Sequence, residues 1–249
     1  MTGVGGDETR VVSRLRELGF SGPDAETLAA HFLDCERRGK AGHGLARVDW
    51  LATLPDLRPH SRPERTVHEP SFERWDGRGA VGYLTLAAIC DAQLAAPPER
   101  SRLVVASCFP TGALGYWVRR LADGGLVAVL TATSPARLGH PDGGPPLAGT
   151  NPIALGIPSS DGRSIVSDVS MGAVTWGDVI AGRASRGELV PFGGEQAHKA
   201  FALAVGLQLL VDTLVGEGYG AVLLVAQPEA DPVPGFRDRA DGIRLPGDA

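Results

Sequence analysis

The chain has little of what would mark a secreted, metal-binding or nucleic-acid-binding protein. Cysteine is scarce: Cys35, Cys90 and Cys108 are the three, an odd number with no C-x-x-C spacing. That argues against a disulfide framework or a zinc site and for reduced thiols in a cytoplasmic protein. The six histidines include no two at metal-ligand spacing on one helix, so no metal is expected. Positive charge is not in excess, with 24 Lys+Arg against 29 Asp+Glu and a net charge of −5. A nucleic-acid partner needs a basic face, so none is expected, although a local basic pocket for a small anion stays open. The N-terminal MTGVGGDETR lacks the apolar core of a signal peptide. The longest apolar run, Ala200 to Val215, is broken by Gln208 and Asp212. It is too short to span a bilayer and predicts a buried helix, so no membrane association is expected.

What is present is ample apolar material, 43% of residues, with 34 glycines and 19 prolines. At 249 residues this suits one sizeable α/β domain or two small ones. Apolar periodicity predicts helices over Thr9 to Leu18, from Pro23 to Gly39, and over Leu45 to Leu54. Residues 55–80, rich in Pro, Arg and His, read as an irregular crossing segment with a strand near Thr66-Val67. Beyond it, helices at Gly82–Leu94, Gly112–Ala122 and Glu195–Leu214 alternate with strands at Leu103–Ala106, Leu126–Leu130, Ile165-Val166 and Ala221–Ala226. That alternation predicts an α/β sheet behind an N-terminal helical segment. The tail, Asp231 to Ala249, is expected to lie extended on the surface.

Gly77-Arg78-Gly79-Ala80-Val81-Gly82 matches G-x-G-x-x-G, the dinucleotide fingerprint. The match needs a buried parallel strand before it, and Glu69 to Asp76 does not read as one. It is taken as a glycine turn entering a helix.

Four other segments carry chemistry. Gly42-His43-Gly44-Leu45-Ala46-Arg47 sets an imidazole one helical turn from a guanidinium. Such a pair suits an oxo acid, Arg gripping the carboxylate and His moving the proton, and equally suits a capping loop with a solvated surface. Leu147 to Ala154, containing Gly149-Thr150-Asn151-Pro152, reads as a donor-rich loop for a phosphate or ribose, or as a turn into the sheet. Ser167-Asp168-Val169-Ser170 ends a strand, where Asp168 either accepts ribose hydroxyls or caps a helix. In Gly193 to Phe201, Lys199 sits one turn into a helix, able to reach a phosphate or to stay in solvent.

In this order the segments resemble the malate/L-lactate dehydrogenase family, which includes ureidoglycolate dehydrogenase and Δ1-piperideine-2-carboxylate reductase. Its S-H-G-x-x-R is matched by Gly42 to Arg47, its D-G turn and glycine helix by Asp76-Gly77 and Gly82-Tyr83, and its L-G-T-N-P-x-A by Ala148 to Ala154. Its D-M-S is matched by Asp168-Val169-Ser170, and its late glycine-lysine segment by Gly193 to Ala204 with two extra residues. Gly112 to Tyr116 also fits a family helix, and the resemblance spans roughly residues 8–216.

The resemblance implies a distinct, non-Rossmann α/β fold with a mixed sheet. A cofactor domain (111–199) would be inserted in a helical, substrate-binding and dimerising part (1–110 with 200–249). It implies NADPH or NADH as cofactor and a small carboxylate substrate: reduction of a cyclic imino acid or 2-oxo acid, or oxidation of the 2-hydroxy acid. A homodimer is implied. His43 becomes the candidate proton donor and Arg47 the carboxylate clamp. Thr133, Ser134, Thr150, Asn151, Asp168, Val169, Ser170 and Lys199 become candidate cofactor contacts. The chain departs from the pattern in four places. Pro110 falls where the family has a proton-transferring histidine, Gly42 replaces the serine before His43, the segment between Val190 and Gly194 is compressed, and the C-terminal region is short. These departures leave a rival expectation, a degenerate family member without redox activity that acts on another small acid or serves as a binding or partner subunit.

Overall fold

A computed structural model describes residues 4–248. Three helices open the chain: α1 (Val4–Glu17), α2 (Gly22–Arg37) and the short α3 (Ala46–Leu51). Ser21 caps α2 by accepting the Asp24 N–H, and Pro23 sits in its first turn. Between α2 and α3 a 3₁₀ turn, Ala41–His43, carries the histidine of the first motif.

The sheet follows. Strand β1 (Glu64–His68) pairs antiparallel with β2 (Phe72–Val81), and α4 (Gly82–Ala95) crosses over to β3 (Ser101–Phe109), which lies parallel to β2. Next come α5 (Leu114–Asp123), β4 (Val127–Ala132), β5 (Ile153–Ile157) and β6 (Ile165–Val169). A short α6 (Trp176–Ile180) precedes the long α7 (Ala197–Val215), then β7 (Gly220–Ala226) and α8 (Val233–Ala240). The seven strands run β1-β2-β3-β7-β4-β5-β6, so the last strand to be made is inserted at the centre. All pairings except β2·β3 are antiparallel, which makes the sheet mixed, as expected.

Both faces of the sheet are covered. On one, Val104, Ala106 and Cys108 of β3 meet Leu28 and Phe32 of α2, Leu86 of α4 and Trp117 and Leu121 of α5 in the main core. On the other, Val105 and Val222 meet Val211 of α7. Burial on both sides explains why β3 and β7 read as unbroken apolar runs. All three cysteines are buried and unpaired, and burial pushes each thiol up to about 12.

Four expectations are corrected. Residues 72–81 are not irregular: they form a ten-residue strand parallel to β3 that runs through the G-x-G-x-x-G match. The strand was hidden because one of its inward positions is a carboxylate, Glu73, fully buried. The glycines there serve packing rather than a phosphate: a Cβ on Gly82 would stand 2.6 Å from the Pro110 carbonyl oxygen. Second, Ile153–Ile157 is a strand, not part of a loop. Third, the tail contains α8 and then returns along β6, where the Val166 N–H donates to the Pro246 carbonyl at 3.0 Å. Fourth, α7 is not a buried helix. Only Ala197, Ala200, Ala204 and Val211 are buried, while Leu203, Leu209 and Leu210 are exposed. With the turn before it, Gly194–Val215 is long and apolar enough to cross a membrane by length and composition, but it lies along β7, β4 and β3.

Glu73 organises a buried polar knot. Trp75 Nε1 and Gln93 Nε2 donate to it at 3.0 and 2.9 Å, and Arg65 lies at 3.1 Å, His68 at 2.9 Å and Arg102 at 3.5 Å. Burial alone pushes its pKa up. The hydrogen bonds from Trp75 and His68 and the charges of Arg65 and Arg102 outweigh that and hold it below the ordinary value. A depressed carboxylate contributes stability above its unfolded pKa and loses it as pH falls through the folded one. Glu73→Gln removes the carboxylate that faces Arg65 and the buried Arg102 and should lower the unfolding free energy by about 3 kcal/mol at neutral pH. It should also remove part of the acid sensitivity of the native protein. Urea unfolding across pH measures both effects, and a variant as stable as the parent at neutral pH would contradict the assignment.

Candidate active site

The carboxyl end of β4, the 3₁₀ turn, the loop before α5 and α6 converge on a cleft of about 340 Å³. It brings together seven of the ten residues singled out by sequence: His43, Arg47, Thr133, Ser134, Thr150, Asp168 and Ser170.

Arg47 is 5% exposed and has no ion pair among the described residues. Its Nε donates to the Gly42 carbonyl at 2.9 Å, and its guanidinium lies 4.8 Å from the Trp50 ring centroid. A buried guanidinium held by a carbonyl and an aromatic face keeps donors free for an anion. His43 is half-buried beside it, and its Nδ1 has no hydrogen-bond partner. Burial first, then Arg47 and Lys40, lower the imidazole to about 3, so it is neutral near pH 7. Two further unpartnered buried polar atoms belong to cleft residues: the Tyr83 hydroxyl and Ser134 Oγ. Such atoms call for a ligand or water.

Gly42 is fixed by packing. A Cβ there would lie 2.8 Å from the Gly177 carbonyl carbon and 2.9 Å from Asp178, both in α6. The serine of the family pattern has no room while α6 stays in place. Asp178 itself lines the cleft, capped by Thr175 and paired to Arg183 at 2.7 Å. Burial pushes its pKa up, but the bonds from Arg183 and Thr175 outweigh this and hold it down.

Asp168 plays a structural part as well. One oxygen accepts the Gly115 N–H at 3.0 Å, at the start of α5, and pairs with Lys40 at 2.7 Å. Thr133 is engaged too, its Oγ1 accepting the Gly220 N–H at 3.0 Å. Asn151, Val169 and Lys199 lie outside the cleft lining. Asn151 is fully buried, its amide nitrogen donating to the Ala204 carbonyl at 3.0 Å and to Gln208 at 2.9 Å, which ties the loop to α7. Val169 is exposed at the edge of the sheet, and Lys199 is exposed on α7.

Sequence reasoning missed Lys40, Trp50, Arg137, Trp176, Asp178 and Arg183 in the cleft. Arg137 stacks on Trp176 with 4.3 Å to the ring centroid, and burial lowers its pKa. The signal was the Thr175 to Asp178 capping box, which announces α6. Pro110 also lines the cleft, so the position of the expected histidine faces the site with no proton to give.

Comparison with known proteins bears on the family and the fold. The malate/L-lactate dehydrogenase family model matches residues 8–188. A Δ1-pyrroline-2-carboxylate/Δ1-piperideine-2-carboxylate reductase of Pseudomonas aeruginosa is 30% identical over 248 residues, covering 85% of this chain and 72% of that protein. A (2R)-3-sulfolactate dehydrogenase (NADP(+)) of Chromohalobacter salexigens is 31% identical over 190 residues, covering 75% of this chain and 57% of that protein. Among solved structures, a Δ1-piperideine-2-carboxylate reductase of Pseudomonas syringae pvar. tomato superposes with a TM-score of 0.79 at 24% identity, covering 97% of this chain and 90% of that one. A dehydrogenase from Sinorhizobium meliloti gives 0.81 at 23% identity, covering 97% and 88%. At such identities the superpositions speak for the fold, which is thus shared with non-Rossmann dehydrogenases. Family-model match and sequence identity together place the protein: the chain belongs to the malate/L-lactate dehydrogenase family of nicotinamide-dependent oxidoreductases.

Proposed function

We propose that the cleft reduces a small cyclic imino acid, with NADPH or NADH as hydride source and Arg47 as the carboxylate clamp. The observation that carries this reading is the Arg47 guanidinium, buried, unpaired and beside His43. An anion of matching shape satisfies it with two parallel hydrogen bonds.

The residues present fit a nicotinamide ring. Pro110, Leu114, Ala132 and Pro152 give an apolar wall for a flat face, and the unpartnered Ser134 hydroxyl suits a carboxamide. When bound, the group supplies a hydride, and the protein supplies binding and orientation. Thr133, Ser134, Thr150, Asp168 and Ser170 line the side of the cleft assigned to the cofactor. Trp50 and Trp176 lie against Arg47 and Arg137, which have no ion pair among the described residues.

The state of His43 selects among substrates. A ketone needs a proton at its oxygen as hydride arrives, and an imidazole held neutral to about pH 3 gives one poorly. An iminium ion reaches the site already protonated at nitrogen and becomes an amine on accepting hydride, with no proton taken from the protein. Pro110 in place of a histidine is compatible with the second reaction and a handicap for the first. In the reading offered here His43 accepts or donates a hydrogen bond to the substrate through Nδ1, and Tyr83 offers a second one through its hydroxyl.

Two outcomes follow. Reduced nicotinamide should be consumed with a cyclic α-imino acid at least about tenfold faster than with a 2-oxo acid of similar size, and with no rate limb assignable to a histidine between about pH 5 and 8. Equal rates, or turnover of the 2-oxo acid alone, would overturn the substrate assignment. Arg47→Ala should raise KM for the imino acid by roughly a hundredfold, about 3 kcal/mol, with far less effect on a neutral amide analogue. Equal losses for both compounds would show that Arg47 does not hold the carboxylate.

A further inference from the structure

The charges that line the cleft do not balance. Four cations face it, Lys40, Arg47, Arg137 and Arg183, against two carboxylates, Asp168 and Asp178. Lys40 pairs with Asp168 and Arg183 with Asp178, each at 2.7 Å. His43 is neutral. Arg47 and Arg137 are left over, with no ion pair among the described residues. A chain with a net charge of −5 therefore keeps two uncompensated guanidiniums in one concave place.

Arg137 is placed by the backbone. Its N–H donates to the Ala148 carbonyl at 2.8 Å, where Leu138 and Ala148 form an antiparallel bridge. Leu138 is fully buried in a cluster with Met171 and Ala204, so the alternation of extended backbone turns Arg137 the other way, into the cleft. One terminal nitrogen donates to the Pro135 carbonyl at 3.0 Å, and the guanidinium lies 4.3 Å from the Trp176 ring centroid. Most of its donors stay free for a ligand, in a plane fixed by the indole.

Both arginines gather at α6. Arg137 stacks on Trp176, and a Cβ on the next residue, Gly177, would stand 2.9 Å from Arg47 Nη2. Burial lowers the Arg137 pKa, Tyr219 works the other way, and the Arg47 charge adds to the fall. Two guanidiniums facing one hollow of about 340 Å³ with no anion between them repel each other, and a ligand with two negative groups relieves both.

A substrate with one carboxylate satisfies Arg47 alone, and a reduced nicotinamide ring brings no charge. Resting on the imino-acid reading of the cleft, we propose that its substrate is a dianion, a cyclic imino acid with a second carboxylate on the ring, and that Arg137 is the residue that selects it. Arg47 holds the carboxylate beside the reacting carbon, and Arg137 receives the other one at the Trp176 end of the cleft. A ring without the second carboxylate leaves the half-buried Arg137 unpaired, which weakens binding.

Steady-state kinetics with two ring imines tests this: Δ1-piperideine-2-carboxylate and Δ1-piperideine-2,6-dicarboxylate. The dicarboxylate should have a kcat/KM at least about tenfold higher, with the advantage shrinking as salt is raised. Arg137→Gln should cut kcat/KM for the dicarboxylate roughly tenfold more than for the monocarboxylate. Calorimetry with the saturated rings, piperidine-2-carboxylate and piperidine-2,6-dicarboxylate, reads the same site without turnover. Equal kcat/KM for the two imines in the parent protein overturns the proposal, whatever the variant does, and leaves the reductase reading intact. A loss of NADPH or NADH affinity in Arg137→Gln as large as the loss for the dicarboxylate assigns this arginine to the cofactor and also overturns it. Arg137-dependent binding of the saturated dicarboxylate with no turnover of either imine keeps the dianion site and removes the reductase reading. Neither turnover nor binding of a dicarboxylate removes both.

Discussion

The unpaired charge of Arg47 is the constraint around which the cleft is arranged. A guanidinium cannot lose its proton to escape burial, so it must be held by oxygens, by an aromatic face or by a ligand. Here the Gly42 carbonyl and the Trp50 ring hold it, and among the described residues no carboxylate pairs with it. Gly42 can turn its carbonyl that way because the 3₁₀ turn packs directly on Gly177 of α6. The same charge helps keep His43 neutral. One residue thus sets the anion preference of the site, the state of its imidazole and the docking of a short helix.

The second determinant is a long-range tie. Lys40 follows α2 and Asp168 ends β6, and their pairing joins the N-terminal helical segment to the edge of the sheet. Asp168 also holds the start of α5 through Gly115. The rim between the cleft and the hollow beside it is therefore made by residues 128 positions apart.

Much of this was legible in the sequence, for physical reasons that differ by residue. The β-branched runs of β3 and β7 announced buried strands because both faces are covered. His43 and Arg47 stood out because glycines isolate the histidine and the spacing is one helical turn. Phe72–Val81 escaped because Glu73 occupies a buried position, and no hydrophobic pattern anticipates a carboxylate held there by Arg65, His68 and Arg102. Asn151 was read as a ligand donor, but its amide faces inward and clamps α7. Lys40 and Arg137 carry no local signal, because Asp168 and Trp176 are brought to them only by the fold. Apolar character predicted burial for α7, yet Leu203, Leu209 and Leu210 are exposed.

The central claim is that the cleft between His43 and Trp176 holds a reduced nicotinamide ring. Trp50 and Trp176 line that cleft, and tryptophan emission overlaps the absorption of reduced nicotinamide. Titrating NADPH while exciting tryptophan should give saturable quenching with matching sensitised nicotinamide emission, and a carboxylate substrate analogue bound at Arg47 should alter the signal. Unquenched tryptophan emission with no sensitised signal, up to high micromolar NADPH, would contradict the account.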